Sequence, residues 1–311
     1  MLDTAAGPAE LVVSPAAQVF DRGNNRYSFG VFQIDRTQVP DATVALYFAK
    51  VPPSERSTLP PAGQGQDAGI VGSGGGKESS PPPKALAEAL DQPAVGPFPA
   101  RVDPIQTEPA FRAQTTTGDP DAATNVYVTE VNFPSEGEWR IAALIKEGEN
   151  FTATLLPSAI VGQYNAVPKV GERAPRIHTP TPGDVAGDRS QLTTRVPPET
   201  MNEVDFYDVL GKRPVVLLFA TPAFCQSRVC GPVVDVAEQV REEHGDEAEF
   251  IHMEIFNDND PGKGIRPQVR AFNLPSEPWV FVIDSNGVIR TAIEGAFGVQ
   301  ELEAAVDEVT E

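Results

Sequence analysis

Cysteine and histidine are scarce in this chain of 311 residues, with two of the first and three of the second. Two cysteines close one bridge at most, which excludes a small fold held together by a disulfide framework. His178, His244 and His252 are scattered, and with Cys225 and Cys230 they do not reproduce the ligand spacing of a structural zinc site, so neither a metal nor a cofactor is expected. Long hydrophobic runs are also missing: none approaches the ~20 apolar residues of a membrane-spanning helix. Positive charge is the minority, 24 Lys and Arg against 44 Asp and Glu for a net charge of −20, which argues against nucleic-acid phosphate or an anionic membrane as partner. Met1-Leu2-Asp3 has no basic, apolar leader, so the start reads as a mature or trimmed form, and any anchor is expected outside this chain.

What the chain has in excess is proline and glycine, 31 and 26 residues, and these cluster. The length predicts two domains with linkers. Residues 8–165 read as an antiparallel β domain. Strand-like alternation appears at Leu11 to Val13, Tyr27 to Ile34 and Thr43 to Ala49, broken by the turn residues Asp21 to Asn25 and Gln38 to Asp41. It resumes at Asn125 to Phe133 and returns as Trp139 to Lys146. The Phe133-Pro134 to Gly137 turn leading to Trp139 resembles the closing hairpin of bacterial immunoglobulin-like sandwiches. Between these halves, about 52–100 is dominated by Pro, Gly, Ser and Ala, including Gly72 to Gly76 and Pro81 to Pro83. This composition predicts a flexible insertion, with one short helix over 84–91. Residues 166–199 read as a Pro/Gly/Thr-rich linker that ends by docking on the second domain, 200–311.

The second domain is organised around residues 214–232. Pro214 to Ala220 is a short, β-branched, uncharged run, as expected of a central parallel strand buried on both faces, and Cys225 and Cys230 follow it directly. The apolar spacing of Val233, Val234, Val236, Ala237 and Val240 predicts a helix packed on the sheet. Sites in open α/β sheets are built at the carboxyl ends of strands. A thiolate is the nucleophile in disulfide exchange, and Cys225, close to a helix amino terminus and to Arg228, should have its ionised form favoured, with Cys230 resolving. Five residues along an intact helix separate two Cα atoms beyond the ~7 Å a disulfide tolerates, so either the turn unwinds when the bridge forms or it is never helical. Further elements follow: a helix at Asn202 to Leu210 stopped by Gly211, a strand at Glu249 to Phe256, a short helix at Pro267 to Phe272, a hairpin of 279–284 with 288–294, and a closing helix at Val299 to Val309.

Phe219-Ala220-Thr221-Pro222-Ala223-Phe224-Cys225, its preceding strand, and Pro278 before Trp279 to Asp284 resemble the thioredoxin-like superfamily, close to extracytoplasmic TlpA/AhpC-type domains. The resemblance covers about 200–311, and Val170 to Pro175 is similar to the lead-in segment of AhpC-type folds. It implies a multidomain chain, an all-β immunoglobulin-like sandwich followed by an α/β thioredoxin-like domain. It further implies a thiol-disulfide oxidoreductase in an extracytoplasmic bacterial setting, acting on protein thiols or disulfides. Pro278 would be cis and would shape the substrate groove. The family's usual pair is Cys-x-x-Cys, whereas this is Cys-x4-Cys. A Cys-x4-Cys-Gly run recurs in one peroxiredoxin branch, yet Pro222 stands where that branch has threonine. A thiol peroxidase and a non-enzymatic binding protein with a structural disulfide are the alternative readings. His252 and Glu254 share one face of a strand and could approach the cysteines, although a satisfied core histidine is the ordinary outcome. Asp258 to Gly264 has a calcium-loop look, but Val269 occupies the position where a bidentate Glu is needed.

Overall fold

The protein is described by a computed structural model covering residues 11–52, 94–119, 122–225 and 228–311. Most of the expected insertion, 53–93 with its short helix, lies outside the described residues. The chain divides into two compact units. The first holds the described residues up to 103 together with 125–165, and the second holds 104–124 and 166–311.

The first unit is built of β1 (Leu11–Pro15), β2 (Gly23–Gln33), β3 (Thr43–Lys50), β4 (Val95–Pro99), β5 (Arg101–Pro104), β6 (Asn125–Phe133), β7 (Gly137–Glu147) and β8 (Asn150–Val161). They form two four-stranded sheets, ordered β1-β2-β6-β5 and β4-β3-β7-β8. Period-two alternation explains how the two sheets share one core: Tyr27, Phe29 and Val31 from β2 meet Val44, Leu46 and Phe48 from β3 and Ile141, Ala143 and Ile145 from β7. Phe133 and Phe48 pack edge to face at 5.2 Å. Two elements differ from expectation. Residues 95–99, read as part of the flexible insertion, form β4 and pair with β3, because Phe98 finds a partner in Phe48 across the sheet. The strand expected from Tyr27 starts at Gly23, where φ of +107° suits glycine and the Asn25 side chain closes the turn on the Asp21 and Gly23 carbonyls.

Tyr127 gives this unit a measurable test. Its buried hydroxyl donates to the Val39 carbonyl at 2.8 Å and accepts from the Ala42 N–H at 2.9 Å. Tyr127→Phe removes both bonds while keeping the ring, and should lower stability by about 1–3 kcal/mol, read as a lower urea midpoint at unchanged slope. A shift too small to measure would mean that water reaches both backbone groups.

The second unit contains α1 (Gln114–Thr117), α2 (Phe206–Val209), β9 (Val215–Phe219), α3 (Cys230–His244), β10 (Glu249–Met253), α4 (Pro267–Ala271), β11 (Trp279–Ile283), β12 (Ile289–Glu294) and α5 (Val299–Thr310). Its sheet runs β10-β9-β11-β12. β10 is parallel to β9, whereas β11 is antiparallel to both β9 and β12. Every residue of β9 and β11 is buried, so each apolar side chain there contributes about 1.5–3 kcal/mol of burial. α5 packs against α3 and against β11 and β12. Residues 171–174 pair with 287–289 and cover the outer edge at the start of β12.

Most of the elements expected in the second unit recur with shorter bounds, and the closing helix runs one residue further, to Thr310. The helix expected over 202–210 is one turn, capped by Asp205, whose carboxylate accepts the Tyr207 N–H, while Asn202 is drawn into a buried polar network. Residues 166–199, read as a linker, belong to the second unit, with Thr193, Arg195 and Glu199 buried. Residues 104–124, which carry no strong sequence signal, also belong to it. Among the described residues no helix is long and apolar enough to cross a membrane.

Candidate active site

β9 delivers the chain to a turn at Pro222 to Phe224, then to half-buried Cys225, and α3 begins at fully buried Cys230. The two cysteines form a disulfide with their Cα atoms 5.8 Å apart. That distance is possible because Cys225 lies outside the helix, so of the two geometric alternatives this oxidised form adopts the non-helical turn. Arg228, at φ of +59°, and Val229 lead into α3. Pro232 is the third helical residue, where the missing N–H costs no intrahelical bond. Gly231 is fixed by close approach: a Cβ there would stand 2.9 Å from the Thr116 hydroxyl oxygen of α1.

The first amide of α3, Cys230 N–H, donates to Cys225 Sγ at 3.3 Å. A helix-terminal N–H aimed at sulfur favours the Cys225 thiolate of the reduced protein. The turn is also tethered from below. Ala223 N–H donates to the Thr194 hydroxyl oxygen, and Thr194 donates through its own N–H and hydroxyl to Glu254 Oε1 at 2.6 and 2.7 Å.

Sheet register brings the second anchor to this turn. Trp279 at the start of β11 lies opposite Phe219 at the end of β9, so Glu277 and Pro278 arrive beside Ala220 and Thr221. The Glu277–Pro278 peptide is cis. A Glu277 carboxylate oxygen lies within 4.8 Å of both cysteine sulfurs. Glu277 is 4% exposed, and its Oε2 has no hydrogen-bond partner among the described residues. Burial, reinforced by the Glu254 charge, pushes its carboxyl up to about 8. Sequence reasoning passes over Glu277, although a charge one proline before the five apolar residues of a buried strand is the available signal. The disulfide leaves neither sulfur as the thiolate that binds metal.

His252 does not join the cysteines. Its Nδ1 pairs with Glu199 Oε1 at 2.7 Å and its Nε2 with the Ala220 carbonyl at 3.1 Å. The Ala220 carbonyl can only accept, and Glu199, whose pKa is lowered, accepts as a carboxylate, so both ring nitrogens carry protons and the pair is a buried imidazolium–carboxylate. Burial alone would lower the His252 pKa and raise that of Glu199, but mutual attraction and their hydrogen bond reverse both directions. Thr193 and Asn202 donate to the remaining Glu199 lone pairs. The acidic loop at 258–264 closes on itself, with Asn257 donating to the carbonyls of 263–265 and Lys263 paired with Asp258.

A second buried ion pair secures α3. Arg195 Nε donates to Asp235 Oδ1 at 2.8 Å, while its terminal nitrogens donate to the carbonyls of Pro197 and Phe111. Asp235 Oδ2 accepts the Ala113 N–H. One guanidinium thus ties the first turns of α3 to residues 111–113 and 195–197.

No protein-family model matches the chain, and no curated protein matches it. Among solved structures, the crystal structure of a protein assigned as thiol:disulfide interchange protein DsbE from Chlorobium tepidum matches at 18% identity and a TM-score of 0.31. That match covers 46% of this chain and 99% of the other.

Proposed function

We propose that this protein is a thiol-disulfide oxidoreductase whose second unit is thioredoxin-like and whose first unit is an immunoglobulin-like sandwich. The observation that carries the reading is the Cys225–Cys230 disulfide at the carboxyl end of the central strand, with one cysteine half-buried and the other enclosed in the first turn of α3. A partner thiol can reach Cys225 but not Cys230. Cys225 is therefore the attacking residue, Cys230 resolves, and Pro278, set beside Ala220 by the sheet register, borders the groove where a substrate chain would lie. The partners are protein thiols or disulfides, in an extracytoplasmic setting.

The assignment of the two thiols predicts an order of labelling. In reduced protein near neutral pH, Cys225 should be alkylated well before Cys230, and Cys230→Ser should trap mixed disulfides that Cys225→Ser does not. Mass-spectrometric mapping of the first labelled cysteine checks this, and preferential labelling of Cys230 would reverse the roles. A redox titration tests the function itself. A catalytic pair should titrate within roughly −120 to −270 mV, whereas a bridge that titrates below about −300 mV is a structural staple in a binding protein.

A further inference from the structure

A carboxylate taken out of water needs a counter-charge, and in folded proteins such groups are paired or bind a metal. Glu277 is enclosed, and its Oε2 has no hydrogen-bond partner among the described residues. The charge that acts on it is the negative one of Glu254, in the segment after β10, which adds to that need. The buried cations are committed elsewhere: His252 to Glu199, Arg195 to Asp235, and Arg266 to the Phe256 carbonyl and the Asn259 side chain. What faces Glu277 is sulfur. One of its carboxylate oxygens, Cys225 Sγ and Cys230 Sγ all lie within 4.8 Å of one another.

We propose that the reduced protein binds one zinc ion through Cys225 Sγ, Cys230 Sγ and the Glu277 carboxylate, a site that goes beyond the exchange function proposed above. A dithiol reductant first opens the bridge: the Cys225–Cys230 S–S bond breaks, two thiols form, and the reductant is oxidised to its own disulfide. Zinc then replaces the thiol protons, which pass to solvent, and two S–Zn bonds and one O–Zn bond form with no change in oxidation state. In a tetrahedral site with Zn–S of about 2.3 Å and Zn–O of about 2.0–2.2 Å, ligand atoms stand roughly 3.5–3.8 Å apart. Three donors already gathered within 4.8 Å reach that spacing by side-chain rotation, and Cα atoms 5.8 Å apart let both sulfurs share one ion.

The donor set selects the metal. Calcium and magnesium take oxygen ligands at six or more positions, which two thiolates and one carboxylate do not supply. Zinc accepts thiolate and carboxylate together and needs four ligands. The protein gives three, and the fourth position falls to water on the side where Cys225 is half-buried, because Cys230 and Glu277 are enclosed. His252 cannot fill it, since Glu199 and the Ala220 carbonyl hold both ring nitrogens. The Cys230 N–H that donates to Cys225 Sγ remains to support the ligating thiolate. An ion held only by the dithiol form also favours that form over the disulfide.

The test titrates zinc, against a chromophoric chelator and without oxygen, into the oxidised full chain and into the same chain reduced by excess dithiothreitol and desalted. The reduced protein should take up one zinc per chain and the oxidised protein none. Zinc K-edge absorption of the wild-type complex should show two sulfurs at about 2.3 Å, with oxygen at about 2.0–2.2 Å completing the shell. Glu277→Gln should weaken binding by about 10²-fold, the upper end of what losing an outer-shell contact costs. Equal uptake by the oxidised and reduced forms, half a zinc per chain with four sulfurs around it, or a loss below about tenfold in Glu277→Gln overturns the proposal. Stoichiometry and spectrum of the wild type decide it even if the variant does not fold. A reduced protein that takes up no zinc removes this site and leaves the exchange function standing, whereas a bridge that excess dithiothreitol does not open overturns both.

Discussion

Glu199→Gln is expected to cost the protein about 3–5 kcal/mol, because it removes one partner of a fully buried ion pair and leaves the other without its counter-charge. Glutamine has nearly the shape of glutamate, so the loss reports charge and not volume. His252 must then give up its charge: only the neutral ring with Nε2–H keeps the Ala220 carbonyl bonded while Nδ1 accepts from the glutamine amide, and Asn202 loses the Glu199 Oε1 acceptor it donates to. The pH dependence separates this account from a packing defect. His252 is raised above its ordinary value of 6.5, so its contribution is complete below that value and is lost as pH rises through the folded-state pKa. Glu199 is lowered below 4.5, so its contribution is complete above that value and is lost as pH falls through the folded-state pKa. The stability gap between wild type and Glu199→Gln should therefore be widest between about pH 4.5 and 6.5 and should narrow on both sides. Urea titrations across that range decide it, and a gap that does not change with pH would mean the pair is not ionised.

Arg195→Met should have an effect of similar size, about 3–5 kcal/mol, for a related reason. Arg195 and Asp235 are 6% and 2% exposed, and the guanidinium also supplies donors to two otherwise distant carbonyls. Burial already raises the Asp235 pKa against the pull of Arg195, so without the cation the carboxyl must take a proton or remain desolvated. Arg195→Lys should rescue little, because a single ammonium cannot reproduce a planar fork that meets Asp235, Pro197 and Phe111 together. The double variant Arg195→Met, Asp235→Leu should recover part of the loss, since it removes both charges. If Arg195→Lys matched wild type, charge alone would explain the site. Residues 104–124 should gain amide exchange in Arg195→Met, because Phe111 and Ala113 are held through this pair.

Much of the fold could be read along the chain because its causes are local. Val215 to Phe219 is buried on both faces and is uniformly apolar, and the alternation in residues 27–31 and 44–48 is the two-residue period of a strand with one face in the core. The paired cysteines followed from their place after a buried strand, and the limit that helix geometry puts on a five-residue bridge means that the turn could not be an intact helix while oxidised.

Other features depended on contacts between residues far apart in sequence, which no local period encodes. Residues 166–199 have the composition of a linker, yet Glu199 and Arg195 are buried because His252 and Asp235, 53 and 40 residues away, supply the opposite charges. Residues 95–99 join a sheet because Leu46 and Phe48 offer an edge to pair with. Glu277 looked like an ordinary charge at the head of a strand. It comes to stand near the sulfur atoms only because antiparallel pairing sets the start of β11 against the end of β9, and so places a carboxyl beside a disulfide 47 to 52 residues earlier in the chain. The sequence by itself determined which strand is central, where the cysteines leave it and which surfaces are apolar, since burial and strand period are properties of short segments. Tertiary structure decided which charges are buried and what stands next to the sulfur atoms, because register and long-range pairing set those neighbours.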